Sequence, residues 1–239
     1  MSGPVSGAAS GSVGGPGGGT DAARRRDVAL RDVVLRLLDD AGRTGTATIV
    51  QAGHPALRGV AVPYDGQLSA DELGDLVALM RRTMHAAPGV GLAAPQIGLP
   101  VAIAVLEDAG LGDGEVAAAR ERAPLPFRVL VNPRYVPLDA ERVSFYEGCL
   151  SVEGYQAVVA RARRVHLVGY DEGARPVDEV VTGWSARIVQ HETDHLGGIL
   201  YLDRAELRSL AAANELGYRW ASELRPEAAA KALRFPLAP

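Results

Sequence analysis

Two residue types are almost missing from this 239-residue sequence, which has one cysteine, Cys149, and one lysine, Lys231. One cysteine cannot form an internal disulfide, and a free thiol fits a reducing cytoplasm. The sequence also lacks an apolar run near the roughly 18 residues that cross a bilayer, and it begins without the features of a secretory signal. Its net charge of −4 gives no general attraction to nucleic acid or to an anionic membrane. We therefore expect no membrane span and no direct nucleic-acid partner.

Composition and periodicity divide the chain into four predicted parts. Residues 1–20 are rich in Gly, Ser and Pro and cannot bury enough surface to offset their ordering entropy, which predicts a disordered tail. Residues 21–45 are predicted to form an accessory helix and linker, residues 46–204 a catalytic domain, and residues 205–239 a helical C-terminal extension. The accessory helix carries an apolar stripe made of Val28, Leu30, Val33, Val34, Leu37 and Leu38.

Two strong helices and several short strands are predicted inside the central part. Ser69 and Glu72 have capping-box spacing and begin a helix that should end near Ala87. The second helix should run from about residue 184 to 196, and residues 205 to about 224 are again helical in character. Because strands surround the two helices without regular β-α-β alternation, the predicted fold class is α+β. The predicted strands cover residues 101–106, 129–131, 158–159, 165–170 and 177–181.

The strongest local pattern is His191-Glu192-Thr193-Asp194-His195 in the second helix. Histidines at positions i and i+4 lie on one face of a helix, so both imidazoles can bind one ion. Glu192 is poorly placed as a further ligand but well placed as a base beside the ion. Surface histidines at this spacing by chance are the structural alternative.

A catalytic metal needs a third protein ligand and an open position for water. Cys149, in the segment 147–151, is the natural candidate, although a lone cysteine is more often a small buried hydrophobic residue. A third segment, residues 89–98, is rich in glycine but lacks the lysine and the spacing of a phosphate-binding loop. Alone it is weak support for any function.

Together these three segments resemble the peptide deformylase family, whose motifs look like GxGLAAPQ, EGCLS and QHExDH. They stand here, in the family's order, at residues 89–96, 147–151 and 190–195, and the resemblance covers about residues 49–203. It implies small, mainly antiparallel sheets packed around a central metal-binding helix. It also implies hydrolysis of the formyl group from N-formylmethionine at the start of new polypeptides, with Fe²⁺ the expected ion and Zn²⁺, Ni²⁺ or Co²⁺ able to substitute.

The resemblance also assigns residue roles around an ion held by Cys149, His191 and His195. Glu192 would be the general base, while the backbone N–H of Leu150 and the amide of Gln96 would stabilise the oxyanion. Asp194 would either orient a histidine or lie at the surface. The new polypeptide would extend beside Gly91, and the methionine pocket would be lined by Val90, Phe145, Trp184, Arg187 and Ile188, with the Arg187 head group at the rim in water.

Departures from the family pattern and two alternative functions stay open at this point. Glu153 stands where many members have proline, and Gln156 where many have arginine, which bears on peptide preference. A zinc endopeptidase also has H-E-x-x-H, with Glu206 or Glu215 as the nearest downstream third ligand. An inactive binding homologue would be expected to have lost a ligand or the base, and none is lost. The extensions are candidates for contact with a partner such as the ribosome.

Overall fold

The computed structural model describes residues 18–112 and 114–238, with side chains described from residue 27 onward. Most of the predicted disordered tail, residues 1–17, lies outside the described residues. No helix within these ranges has the length and apolarity that a membrane crossing requires. The elements are α1 Gly18–Thr44, α2 Ala70–Ala86, β1 Gly91–Ala93, β2 Ile103–Asp108, α3 Glu115–Arg120, β3 Leu125–Pro137, β4 Arg142–Cys149, β5 Val152–Ala162, β6 Arg164–Tyr170, β7 Pro176–Thr182, α4 Gly183–Leu196, β8 Ala211–Ala212, α5 Ala213–Arg219 and α6 Glu227–Leu233.

A five-stranded antiparallel sheet with the order β1-β2-β3-β6-β7 forms the centre of the protein. Strand β2 is apolar on both faces because its side chains alternate between two cores. Ile103 and Val105 pack with α1 and α2, whereas Ala104 and Leu106 pack with α4. The strands that the sequence predicted are present. The first is shifted from residues 101–106 to 103–108, the other four are longer than predicted, and the predicted α+β class is confirmed.

A smaller antiparallel sheet, with the order β4-β5-β8, lies on the other side of α4. The sequence did not predict β4, whose last residue is Cys149. Its apolar periodicity is interrupted by polar residues that the structure buries, such as Glu147. Helix α4 therefore lies between the two sheets, as the resemblance implied.

The accessory helix α1 packs directly on α2. Leu30 and Val34 are buried there, but Val28 and Val33 point outward with 56% and 36% of their surface exposed. The apolar stripe predicted for α1 therefore included residues, Val28 and Val33, that do not face α2. Helix α2 begins with the predicted capping box, which is formed by Ser69 and Glu72. The carboxylate of Glu72 also accepts hydrogen bonds from Arg31 of α1.

Residues 205–224 were predicted to be helical, and the structure is helical in only part of this stretch. Residues 211–212 form β8 on the edge of β5, and the following α5 has only seven residues. The backbone here is used for pairing with β5, since Glu206 N donates to Val158 O at 2.9 Å. Ser209 Oγ also accepts from Val158 N at 2.7 Å, which leaves this stretch unable to continue as a helix. Helix α6 then buries Ala229 and Ala230 against Val158.

Candidate metal centre and cleft

Helix α4 and the end of β4 bring the three predicted metal ligands together. The ligand atoms of Cys149, His191 and His195 all lie within 4.8 Å of one another. Cys149 Sγ is 3.2 Å from His195 Nε2, and the two imidazole rings lie 5.0 Å apart between centroids. Glu206 and Glu215, the alternative third ligands of an endopeptidase, do not belong to this cluster in the described part of the chain.

Glu147 lies directly behind the histidine pair and was not predicted to have a role. Its Oε2 lies 3.1 Å from His191 Nδ1, and its two oxygens also accept from Arg161 Nε and Nη2 at 3.0 Å. Burial alone would raise the pKa of this carboxyl, but Arg161 and Arg187 hold it well below its usual range. A charged Glu147 fixes the ring of His191 so that Nε2 faces the ligand cluster.

Arg187 is buried, which contradicts the prediction that its head group lies at the rim of the pocket in water. Its side chain is 4% exposed, and Nη1 donates to Glu147 Oε1 at 2.5 Å and to Val159 O at 3.0 Å. Burial is the main cause that lowers the pKa of Arg187. A guanidinium taken out of water needs such a carboxylate, and the sequence alone did not indicate that Glu147 would be in reach.

Asp194 has neither of its two predicted roles. It is buried rather than at the surface, and its carboxylate accepts from Tyr135 Oη at 2.9 Å and from Arg204 Nε at 2.7 Å. It also pairs with Arg161, which connects it to Glu147. Asp194 therefore supports the histidines only through this chain of buried charges.

Glu192 fills a space that exists because residue 91 is glycine. A Cβ at Gly91 would lie 2.3 Å from Glu192 Oε1, far inside contact distance. Glu192 Oε2 is buried and has no hydrogen-bond partner among the described residues, and burial raises the pKa of this carboxyl to about 7. A carboxyl with a pKa near neutrality, beside a ligand cluster, is suited to proton transfer.

Gln96 and Leu150 border the same cluster. Gln96 Oε1 accepts from Ala93 N at 2.8 Å, which turns its Nε2 toward Cys149 Sγ at 3.5 Å and Ser151 Oγ at 3.3 Å. The side chain is buried and held by its own loop, so the amide donor has a defined direction. Leu150 follows Cys149 directly and lines the adjoining cavity.

The cluster opens into a cavity of about 630 Å³. Every predicted site residue except His195 lines it, including Phe145 and Trp184, whose rings meet edge to face at 5.9 Å. His195 lies behind Cys149 and is 1% exposed. Residues that were not predicted also line the cavity, among them Arg120 and Arg122 near α3 and Trp220, Leu224 and Arg225 from the C-terminal segment.

The residues present fit a divalent cation. Burial and the charge of His191 lower the pKa of His195. Burial also opposes the charge on His191, but hydrogen bonds to Cys149 and Glu147 raise its pKa well above the usual value. One thiol and two imidazoles packed this closely, with an unpartnered carboxylate beside them, form a donor set typical of a transition metal with an open position.

This fold and site define a metal-dependent hydrolase with one thiolate and two imidazole ligands. Residues 46–210 match the polypeptide deformylase family. Peptide deformylase 3 of Streptomyces avermitilis is 59% identical over 81% of this chain and 86% of its own length. The peptide deformylase of Bifidobacterium adolescentis is 47% identical over 88% and 96%. A class I type b peptide deformylase of Acinetobacter baumannii, solved with Met-Ala-Ser, superimposes with a TM-score of 0.61 at 31% identity, over 66% of this chain and 98% of that one. The chain belongs to the polypeptide deformylase family.

Proposed function

We propose that this site hydrolyses the formamide bond of N-formylmethionine at the start of new polypeptides and releases formate. One observation supports this most directly: the cluster of Cys149, His191 and His195, with Glu192 beside it, opens into a cavity with aromatic walls. The relative from Acinetobacter baumannii holds Met-Ala-Ser, a peptide that begins with an unformylated methionine. We assign the chemistry to residues 46–204 and treat residues 1–45 and 205–239 as extensions.

In the proposed reaction Glu192 transfers the proton of the attacking water. A divalent ion bound by the cluster would lower the pKa of water and polarise the formyl oxygen. Glu192 takes the proton from the attacking water as the new C–O bond forms. When the C–N bond breaks, Glu192 passes that proton to the leaving amine, so formate and a free amino terminus result.

Negative charge on the formyl oxygen needs donors that are already in position. Gln96 Nε2 is held in such a direction by the bond between its Oε1 and Ala93 N. The backbone N–H of Leu150 is the second proposed donor, because Leu150 adjoins Cys149 at the cavity wall. Preorganised donors of this kind need no rearrangement when the charge develops.

The peptide is proposed to bind along β1 as an additional strand. Among the described strands, β1 lies at the edge of the five-stranded sheet and pairs only with β2, so its other side can accept a peptide backbone. A Cβ at Gly91 would touch the Glu192 carboxylate, so a substrate backbone bound along β1 would lie next to the base. The methionine side chain would enter between Val90, Phe145, Trp184 and Ile188, with buried Arg187 behind the rings.

For the ion we propose Fe²⁺, with Ni²⁺, Co²⁺ or Zn²⁺ able to replace it. Ligand softness alone favours zinc, so the iron assignment rests on the family resemblance and on metal availability in a reducing cytoplasm. An iron site with a thiolate ligand is open to oxidation at Cys149. Protein loaded with iron should lose activity within hours in air, whereas nickel-loaded protein should not. The highest air-stable activity with zinc would reject iron.

The experiment joins metal analysis to formate release. Wild-type protein should bind about one ion per chain and release formate from a formyl-Met peptide, without cleaving an internal peptide bond. Cys149→Ala should lose the ion and the activity together. Cleavage of the internal bond would support an endopeptidase, and metal binding without any hydrolysis would support a binding homologue. The substrate would emerge from the ribosome, and we propose that the two extensions, residues 1–45 and 205–239, contact it.

A further inference from the structure

The cleft contains a guanidinium that pairs with no carboxylate of the described residues; Glu223 also lines the cavity, but it accepts from the backbone N–H of Ala228 instead. Arg120, at the end of α3, lies over Trp184 at 5.1 Å and over Phe145 at 5.8 Å, measured from Cζ to the ring centroids. It makes no ion pair with a described residue, and its Nε is buried without a hydrogen-bond partner in the described part of the chain. Stacking on the two rings holds the guanidinium in place, while its Nε–H has no acceptor among the described residues.

Two neighbouring arginines have carboxylate partners of their own, so those carboxylates are not available to Arg120. Arg122 also lies over Trp184, at 5.3 Å, but its charge is matched by Asp108 at 2.8 Å. Arg187 is matched by Glu147. Burial and the charge of Arg122 both lower the pKa of Arg120, as expected for a cation without a partner.

A second, smaller cavity of about 270 Å³ adjoins the cleft and shares Arg120, Phe145, Trp184, Arg187 and Arg225 with it. Its two carboxylates, Glu121 and Glu141, are both bound by Arg163. Arg225, like Arg120, has no ion pair with a described residue. The shared wall is therefore positively charged, and it lies beside the rings that form the proposed methionine pocket.

We propose that Arg120, with Arg225 beside it, binds an acidic side chain at the third residue of the peptide substrate. Guanidinium groups recognise carboxylates through two parallel hydrogen bonds. This inference rests on the proposed function, because it assumes that formylmethionine occupies the pocket of Phe145 and Trp184.

The third residue follows from strand geometry. A peptide added to β1 is extended, so its side chains alternate between faces and rise about 3.3 Å per residue. The side chains of the first and third residues therefore point to the same face, about 7 Å apart. Arg120 Cζ lies 5.1 and 5.8 Å from the ring centroids of the methionine pocket, which is within reach of the third side chain. The second side chain points away.

The test compares four peptides with amidated C termini, so that the only carboxylate is in the side chain. They are formyl-Met-Ala-Glu and formyl-Met-Ala-Gln, and formyl-Met-Glu-Ala and formyl-Met-Gln-Ala. With the metal-loaded full chain, Glu at the third position should lower KM about tenfold relative to Gln, with kcat unchanged. At the second position the two residues should give equal KM values. Added salt should weaken the preference, although less than for a fully exposed pair, because partly buried charges are screened less.

The variant Arg120→Gln should abolish the preference, so that Glu and Gln at the third position give equal KM values. Arg128→Gln is the matched control, because it removes one positive charge that pairs with Glu179 outside the cleft, and it should retain the preference. Equal KM values for Glu and Gln in the wild type, a preference that salt does not change, or one that survives in Arg120→Gln would overturn the inference. Failure to hydrolyse all four peptides would instead reject the proposed function, and this inference with it.

Discussion

Replacing Glu147 by glutamine should weaken the fold and the metal site together. Glutamine keeps the size of the side chain but removes the negative charge that faces Arg161 and Arg187, whose side chains are 2% and 4% exposed. Arg161 would keep Asp194 as a partner, whereas Arg187 would keep only the carbonyl groups of Val159 and Val143. Leaving a buried charge without its partner costs about 3 to 5 kcal/mol.

That free energy corresponds to a fall in Tm of roughly 6 to 20 °C, at about 2 to 4 °C per kcal/mol for a chain of this size. His191 would lose the carboxylate that orients its Nδ1, so metal affinity should fall about 10- to 100-fold. The measurements are thermal unfolding of the metal-free protein and competition for the metal with a chelator. Both are needed because the metal itself stabilises the folded state.

The chain offers a matched control in Glu107, which also contacts an arginine and a histidine. Its oxygens accept from Arg81 Nη2 at 2.6 Å and lie 2.8 Å from His85 Nε2, but the side chain is 26% exposed and outside the metal site. Glu107→Gln should cost about 1 kcal/mol or less and leave metal affinity unchanged. A Glu147→Gln protein with the Tm and metal affinity of this control would refute the reasoning.

Three further results are expected. Glu192→Ala should keep the ion and lose about 10² to 10⁴ in kcat, as measured by formate release with parallel metal analysis; loss of the ion would make Glu192 structural. Gln96→Ala should lower kcat by about 10² to 10³ with a smaller change in KM, and an unchanged kcat would remove it from oxyanion stabilisation. Arg31 lowers the pKa of Glu72 to about 2, so the stability from this pair is complete above the unfolded pKa of about 4.3 and lost as pH falls toward about 2. Acid unfolding of Glu72→Gln should therefore lack that part of the pH dependence, and identical curves for both proteins would contradict it.

Local patterns predicted those parts of the protein whose cause is local. The capping box at Ser69 and the period of α4 depend on neighbouring residues, so both helices were predicted close to their observed bounds. The two histidines were predicted because i, i+4 spacing puts them on one helix face, and Cys149 because it is the single cysteine and stands in the EGCLS motif. The deformylase fold and activity followed from the combination of motifs.

Features that depend on distant contacts could not be predicted in the same way. The head group of Arg187 was predicted to lie in water because an arginine departs from an all-apolar pocket, whereas Glu147 binds it inside the protein from 40 residues away. Part of the helical stretch predicted after Ala205 was replaced by pairing with β5, which again is a long-range contact. One local signal was overlooked: Glu147 stands two residues before Cys149 in the EGCLS motif, although a register shift between Gly148 and Cys149 interrupts the strand alternation there.

The close approach of Gly91 and Glu192 also limits which substitutions the cleft can accept. Any side chain at position 91 would have to occupy the space of the Glu192 carboxylate, where a Cβ would lie 2.3 Å from Oε1. A substitution there that blocked an unwanted ligand from the strand edge would displace the base in the same step. Resistance to a molecule that binds along β1 must therefore arise at other walls of the cleft, such as the C-terminal segment with Leu224, where side chains can vary without touching the reacting groups.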